Sequence, residues 1–206
     1  MSYDNFATTF SNSRRNHPWP ELDYIIEDMR KQGFSSVLDI GCGNGRFLEE
    51  IQNSGFKIQN YFGIDSSKGM IAEAQKLHPN HQFEVCPMES LTNYELRTTN
   101  YECILFLASF HHLEDRDMRI KTLKQAKELL APNGRIYMTN WNLLNQERYA
   151  KNHRGNGDFD IKIGEFMRYY HGFTVEELAE LFEEARLEVV ENRIFESRRN
   201  TLSIIK

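Results

Sequence analysis

Asp39, Gly41, Gly43 and Gly45 fall within seven residues, directly after the apolar run Val37, Leu38 and Ile40. Glycines in that position let the backbone turn tightly and let a ligand approach without a Cβ in the way, and the helix that follows offers free N–H groups. Two details separate this loop from a dinucleotide-binding G-x-G-x-x-G: its sixth position is Arg46, and a carboxylate, Asp39, stands two places before the first glycine. A pyrophosphate would be repelled by that carboxylate, whereas a ligand with a positive centre and a free ammonium group would be attracted. A second carboxylate closes the run Gly63, Ile64, Asp65, where a strand tip can accept hydrogen bonds from both hydroxyls of a ribose. Together they point to an adenosyl ligand. Each acid also has a plainer reading, Asp65 as a cap of the next helix and Asp39 as a turn carboxylate.

Groups of this kind need a scaffold, and 206 residues with 40% hydrophobic and 27% charged content can bury a core unaided. The net charge of −5, from 25 basic and 30 acidic residues, excludes a uniformly basic protein that coats nucleic acid. No apolar run approaches the roughly 18 residues of a membrane span, and residues 1–10 are polar, so a cytoplasmic protein with no membrane association is expected. Cys42, Cys86 and Cys103 are odd in number, far apart and without a C-x-x-C pair, which argues for buried, reduced thiols and against a disulfide framework or a metal site.

Short apolar runs alternate with helical spacing. A helix over about 20–31 precedes a strand at 37–40, a helix over 47–53 precedes a strand at 61–64, and a helix over 70–77 precedes strands at 83–85 and 103–107. Ile120, Leu123, Ala126 and Leu130 then mark a helix, and 135–141 another strand. Strands so uniformly apolar are buried on both faces of a parallel sheet with right-handed crossovers. Periodicity is lost over 142–172, which predicts an irregular lid or binding loop. Thr174 and Glu177 form a capping box for a helix to about 185, and 187–192 and 201–205 read as closing strands, the last antiparallel. The whole, 1–206, reads as one α/β domain with an N-terminal extension and helix over 1–33 and an insertion over 142–172.

Residues 37–46, the run Gly63, Ile64, Asp65 and residues 129–134 resemble the first, second and later motifs of class I S-adenosylmethionine-dependent methyltransferases, across most of the chain. That resemblance implies a Rossmann-like fold with a mostly parallel seven-stranded sheet and an antiparallel last strand, and S-adenosyl-L-methionine as cofactor. It places Gly41, Cys42, Gly43, Asn44 and Gly45 against the methionine part, Asp65 at the ribose, and Met88 and Glu89, with Met70 nearby, at the adenine; Asp39, Ser66 and Leu107 join them as expected cofactor-binding residues. Pro87 stands where the family has an acid, which leaves the ring nitrogen to the Met88 N–H.

Phe6, Ala7 and Ser13 with Arg15, the run Pro18, Trp19, Pro20, then Phe110, His111, His112, Leu113, Trp141, and Arg168, Tyr169, Tyr170, His171 with Phe173 resemble the tRNA wobble-uridine carboxymethyl methyltransferases. This narrower resemblance implies a tRNA anticodon loop as substrate, the carboxylate of 5-carboxymethyluridine as methyl acceptor and, as in eukaryotic members, a small zinc-binding partner protein. A carboxylate is already ionised at neutral pH, so its methylation needs in-line placement and a clamp rather than a base. Arg15, His112 and His171 are the expected clamp, with Trp19, Trp141, Tyr170, Arg198 and Arg199 on the substrate side. Plainer readings make the histidines turn residues, the tyrosines packing aromatics and Trp19 a hydrophobic plug. A small-molecule methyltransferase with 142–172 as its lid, and a non-catalytic cofactor-binding module, are the competing functions. Residues 1–20, 146–155 and 193–206 are each net positive and would make a cationic rim if the fold gathers them.

Overall fold

Side-chain parity along the central strands sets the architecture. The computed structural model describes residues 19–91 and 100–206; Arg15 and the rest of the expected N-terminal motif up to Pro18 lie outside them. In β1 (Ser36–Ile40), Val37 packs with the helices α1 (Pro20–Gln32), α2 (Arg46–Asn53) and α3 (Lys68–Leu77), while Leu38 and Ile40 pack on the opposite side with α4 (Arg116–Leu129) and α5 (Val175–Glu184). The same alternation in β2 (Asn60–Asp65), β4 (Tyr101–Leu107) and β5 (Leu130–Trp141) gives two apolar layers, one on each face of the sheet.

The seven-stranded order is β3-β2-β1-β4-β5-β10-β9, with β3 (Gln82–Val85), β9 (Val189–Ile194) and β10 (Asn200–Ile205) completing it. All pairs from β3 to β5 are parallel, and β10 is antiparallel to both β5 and β9. The strand order reverses between β1 and β4. At such a switch point the turns leaving the two strands diverge and open a crevice at their carboxyl ends. No helix among the described residues is long and apolar enough to cross a membrane, and the three cysteines are free and buried.

The expected irregular stretch at 142–172 is instead folded. Two 3-10 turns, Leu143–Asn145 and Glu147–Asn152, lead into a three-stranded antiparallel sheet of β6 (His153–Gly155), β7 (Asp158–Ile163) and β8 (Phe166–His171). Phe159, Ile161 and Tyr170 form its small core with Leu143. A buried polar network fastens it to the main body. The Arg119 guanidinium donates to the Leu113 and Glu114 carbonyls and to the Tyr169 hydroxyl, and stands 3.6 Å from Glu177. The Tyr169 hydroxyl also donates to Asp158 at 2.6 Å. The Thr174 hydroxyl caps α5 as expected by accepting from the Glu177 N–H, but the Glu177 carboxylate reaches His171 at 2.8 Å. Half of the capping box thus serves the insertion.

Candidate active site

The switch point holds a cleft of about 1060 Å³, open mouth included. Its floor is the loop after β1. The N–H groups of Gly41 and Cys42 both donate to the Ile64 carbonyl, at 2.8 and 2.9 Å, which pins the loop to the end of β2. Asp65 completes the link: its Oδ2 accepts from the Gly43 N–H at 3.0 Å and its Oδ1 from the Ser67 N–H at 2.9 Å. The carboxylate thereby joins the glycine loop to the start of α3, where the Ser67 hydroxyl caps the Met70 N–H. Both expected roles of Asp65 are compatible, since a carboxylate accepts at about four positions and this one also lines the cleft.

The loop glycines do different work. A Cβ on Gly41, at φ +77°, would fall 2.4 Å from the Ser109 Cβ, and Ser109 itself is held by a 2.6 Å bond to the Ile40 carbonyl. Gly43, at φ +57°, has open space where a Cβ would sit. Gly41→Ala is therefore expected to cost several kcal/mol of stability, as overpacking added to backbone strain. Gly43→Ala should cost only about 1–2 kcal/mol while lowering affinity for an adenosyl ligand, because it adds a methyl group to a residue that lines the cleft. Denaturant melts and calorimetry with S-adenosylhomocysteine separate the two; equal destabilisation would refute the distinction.

Of the residues expected at the cofactor, Gly41, Cys42, Gly43, Asn44, Asp65, Ser66, Met70, Met88, Glu89 and Leu107 line the cleft. Asp39 and Gly45 do not. Gly45 is the N-cap of α2, and its α-carbon faces the His78 ring. Asp39 shares strand parity with Val37, so its side chain enters the layer under α1, α2 and α3 and accepts a 2.7 Å bond from the Tyr61 hydroxyl. Burial pushes its carboxyl up to about 7, against the lowering by Tyr61 and with a further push from Asp65. The Asp39 Oδ2 is thus held beneath the loop by Tyr61.

The cleft is also lined by Trp19, His112 and Arg168. His112 Nδ1–H donates to the Tyr169 carbonyl at 3.0 Å, so the neutral ring has its lone pair on Nε2. Burial lowers its pKa to about 4. The ring is an acceptor at neutral pH, which removes His112 from the expected anion clamp. Because its folded pKa lies below the ordinary 6.5, its neutral form favours folding above that pH, and the contribution is lost as pH falls from 6.5 to about 4. His112→Gln should flatten this acid-side loss by about 3 kcal/mol relative to wild type in pH-dependent urea melts. Parallel slopes would refute the assignment. Asp39, raised to about 7, contributes the opposite slope in both proteins and cancels in the comparison.

Trp141, Tyr170 and His171 stand behind this wall and do not line the cleft. Tyr170 stacks on Trp141 with ring centroids 4.9 Å apart and packs against His112 at 4.5 Å. His171 is committed at both nitrogens, to Asp158 and to Glu177 at 2.8 Å each, so it ties the insertion down and is no clamp. Arg198 and Arg199 lie in the turn between β9 and β10, away from the cleft. Sequence reasoning missed Arg46, Glu49, Cys86, Ala108, Ser109 and Arg168 in the lining. Arg46 lies over the Trp19 ring at 5.1 Å, and parity along β8 puts Arg168 on the face of Tyr170. Burial lowers the Arg168 guanidinium to about 10, still charged at neutral pH.

A methyltransferase-domain family matches residues 13–192. The chain belongs to that family. The methyltransferase is 27% identical over 150 residues to the tRNA (carboxymethyluridine(34)-5-O)-methyltransferase of Xenopus tropicalis, over 73% of this chain and 22% of that protein. It is 27% identical over 142 residues to the enzyme of the same name from Saccharomyces cerevisiae, over 68% of this chain and 47% of that one. It thus spans less than half the length of these relatives. A solved S-adenosylmethionine-dependent methyltransferase from Clostridium acetobutylicum shares the fold, with a TM-score of 0.74 at 15% identity over 99% of this chain and 98% of that one.

The cofactor implied by the resemblance is S-adenosyl-L-methionine, which would supply an electrophilic methyl group on a sulfonium; a solved methyltransferase of the same fold, 16% identical, is described as bound to it. The cleft suits it. Gly41 and Gly43 keep the floor free of side chains, Asp65 presents a carboxylate at the tip of β2, and Met70, Met88 and Leu107 add apolar lining. Glu49 and Glu89 add negative charge for a cationic ligand.

Proposed function

We propose that this methyltransferase esterifies a carboxylate carried by RNA, the carboxymethyl group of 5-carboxymethyluridine at the tRNA wobble position. The observation that carries the reading is Arg168, a charged guanidinium lining the acceptor side of the cleft in a chain similar to enzymes named for that reaction. A guanidinium presents two parallel N–H donors that match the two oxygens of a carboxylate. Held this way, the carboxylate keeps a lone pair for in-line attack on the methyl group, and it has no proton to lose. Attack joins an anion to a cationic methyl donor and leaves two neutral products, so exclusion of water by Trp19 and the aromatic wall favours it. His112, as an acceptor, suits an N–H of the target base rather than its carboxylate. Arg15 joins the clamp on the resemblance of its motif.

The test is incubation with S-adenosylmethionine and an anticodon stem-loop RNA containing 5-carboxymethyluridine. The expected product is the methyl ester of that nucleoside, identified by mass spectrometry of the digested RNA and by its loss in mild alkali. Methyl transfer to hydroxyl or amine metabolites, with no ester on the RNA, would refute the proposal. The lone pair of His112 would then be the base those acceptors need.

A further inference from the structure

An excess of carboxylates should neutralise most surface cations in a chain of net charge −5. Arg30, Arg116, Arg154 and Arg193 follow that expectation, each meeting a carboxylate. Arg148, Arg198 and Arg199 are exposed and meet none among the described residues. The fold holds these three together although they come from separate segments. The Arg148 guanidinium donates to the Gln146 side-chain oxygen at 2.8 Å, and the nitrogen of the same amide donates to the Arg199 carbonyl at 3.2 Å. Asn142 donates from its backbone to the Arg199 carbonyl at 2.9 Å and from its side chain to the Arg198 carbonyl at 3.0 Å. Of the carboxylates in these segments, Glu196 is taken by Arg193 and Glu147 pairs with none of the three.

This cluster is built into the wall of the cleft. Arg148 lies over the Tyr149 ring at 4.6 Å, Tyr149 stacks on Trp141 at 6.3 Å with an 18° tilt, and Trp141 stacks on Tyr170, which packs against His112 of the lining. A row of rings therefore links the Arg148 guanidinium to His112 in the cleft lining, while the turn that carries Arg198 and Arg199 is anchored through their backbone carbonyls.

We propose that Arg148, Arg198 and Arg199 form a docking surface for the phosphodiester backbone of RNA next to the nucleotide held in the cleft. The inference rests on the RNA substrate proposed above. Phosphates are the anions a chain of this composition does not supply itself, and a guanidinium plane stacked on tyrosine is also a surface on which a flanking base can lie. A folded acidic protein would satisfy the charge but would not use that plane.

The test measures fluorescence anisotropy of an anticodon stem-loop RNA with wild-type protein and with the combined variant Arg148→Gln, Arg198→Gln, Arg199→Gln, over a series of salt concentrations. The variant is expected to bind about 10- to 100-fold more weakly at low salt, and the slope of log Kd against log salt should fall by about 2, at ~0.7–0.9 per phosphate contact. Calorimetry with S-adenosylhomocysteine, giving wild-type affinity, verifies that the variant is folded. An unchanged Kd and slope, or a loss that does not vary with salt, overturns the docking surface. The outcomes separate the two proposals: wild type that binds RNA through these arginines yet esterifies none refutes the reaction alone, while wild type that esterifies RNA and a variant that binds it equally well refutes the surface alone.

Discussion

Arg168→Met should lower kcat/KM for RNA methylation about 10²–10³-fold, the range for removing one preorganised charged group from a transition state. The same substitution should leave the fold at least as stable as wild type. Burial holds the guanidinium down at about 10 from an ordinary 12.5, so the folded protein disfavours its charge. A shift of that size corresponds to a penalty on the order of 3 kcal/mol at neutral pH, which an apolar side chain of similar length does not carry. The penalty is present below pH 10 and fades as pH climbs from about 10 toward 12.5. Loss of activity with retained or increased stability is the signature of a group kept for function. Arg168→Lys, a point charge without the planar fork, should restore only part of the rate. If Arg168→Met unfolds the protein, or turns over RNA at the wild-type rate, the clamp is wrong.

What the sequence revealed and what it concealed divide along side-chain direction. Asp65 was legible because a carboxylate at the end of an apolar run, just before a helix, has few places to point. The direction of Asp39 was hidden because β1 is buried on both faces and carries no polar alternation to reveal its parity. Only the partition of Val37 to one layer and of Leu38 and Ile40 to the other shows that Asp39 faces Tyr61. The same rule decides β8, where Arg168 and Tyr170 share one face and Tyr169 and His171 the other. An eye drawn to the titratable His171 picks the face that binds Asp158 and Glu177 and passes over the arginine that reaches the cleft. The small sheet left a trace in the alternation of Asp158, Phe159, Asp160, Ile161, Lys162 and Ile163, but its core is a single shallow face and the apolar signal is correspondingly thin. Of the three net-positive segments, the 146–155 and 193–206 stretches meet through Asn142 and Gln146, contacts between polar side chains and backbone that no periodicity announces. The first, 1–20, falls almost wholly outside the described residues.

Asp65→Ala should weaken S-adenosylhomocysteine binding by about 1.5–3 kcal/mol, or about 10- to 150-fold, the range for hydrogen bonds to a charged group. Two losses combine in that figure. On the proposed placement of the ribose its hydroxyls lose their acceptor, and the N–H groups of Gly43 and Ser67 lose the oxygens that hold the glycine loop against the start of α3. The amide variant Asp65→Asn distinguishes a need for charge and two acceptors from a need for shape. An amide has one oxygen, so whichever way the new side chain turns, its NH₂ faces either the Gly43 or the Ser67 N–H, donor against donor. Asp65→Asn is therefore expected to bind about as weakly as Asp65→Ala, and hydrogen exchange at Gly43 or Ser67 should accelerate in both variants. Wild-type affinity in Asp65→Asn would mean that the ligand needs neither the charge of Asp65 nor the pair of acceptors that brace the loop.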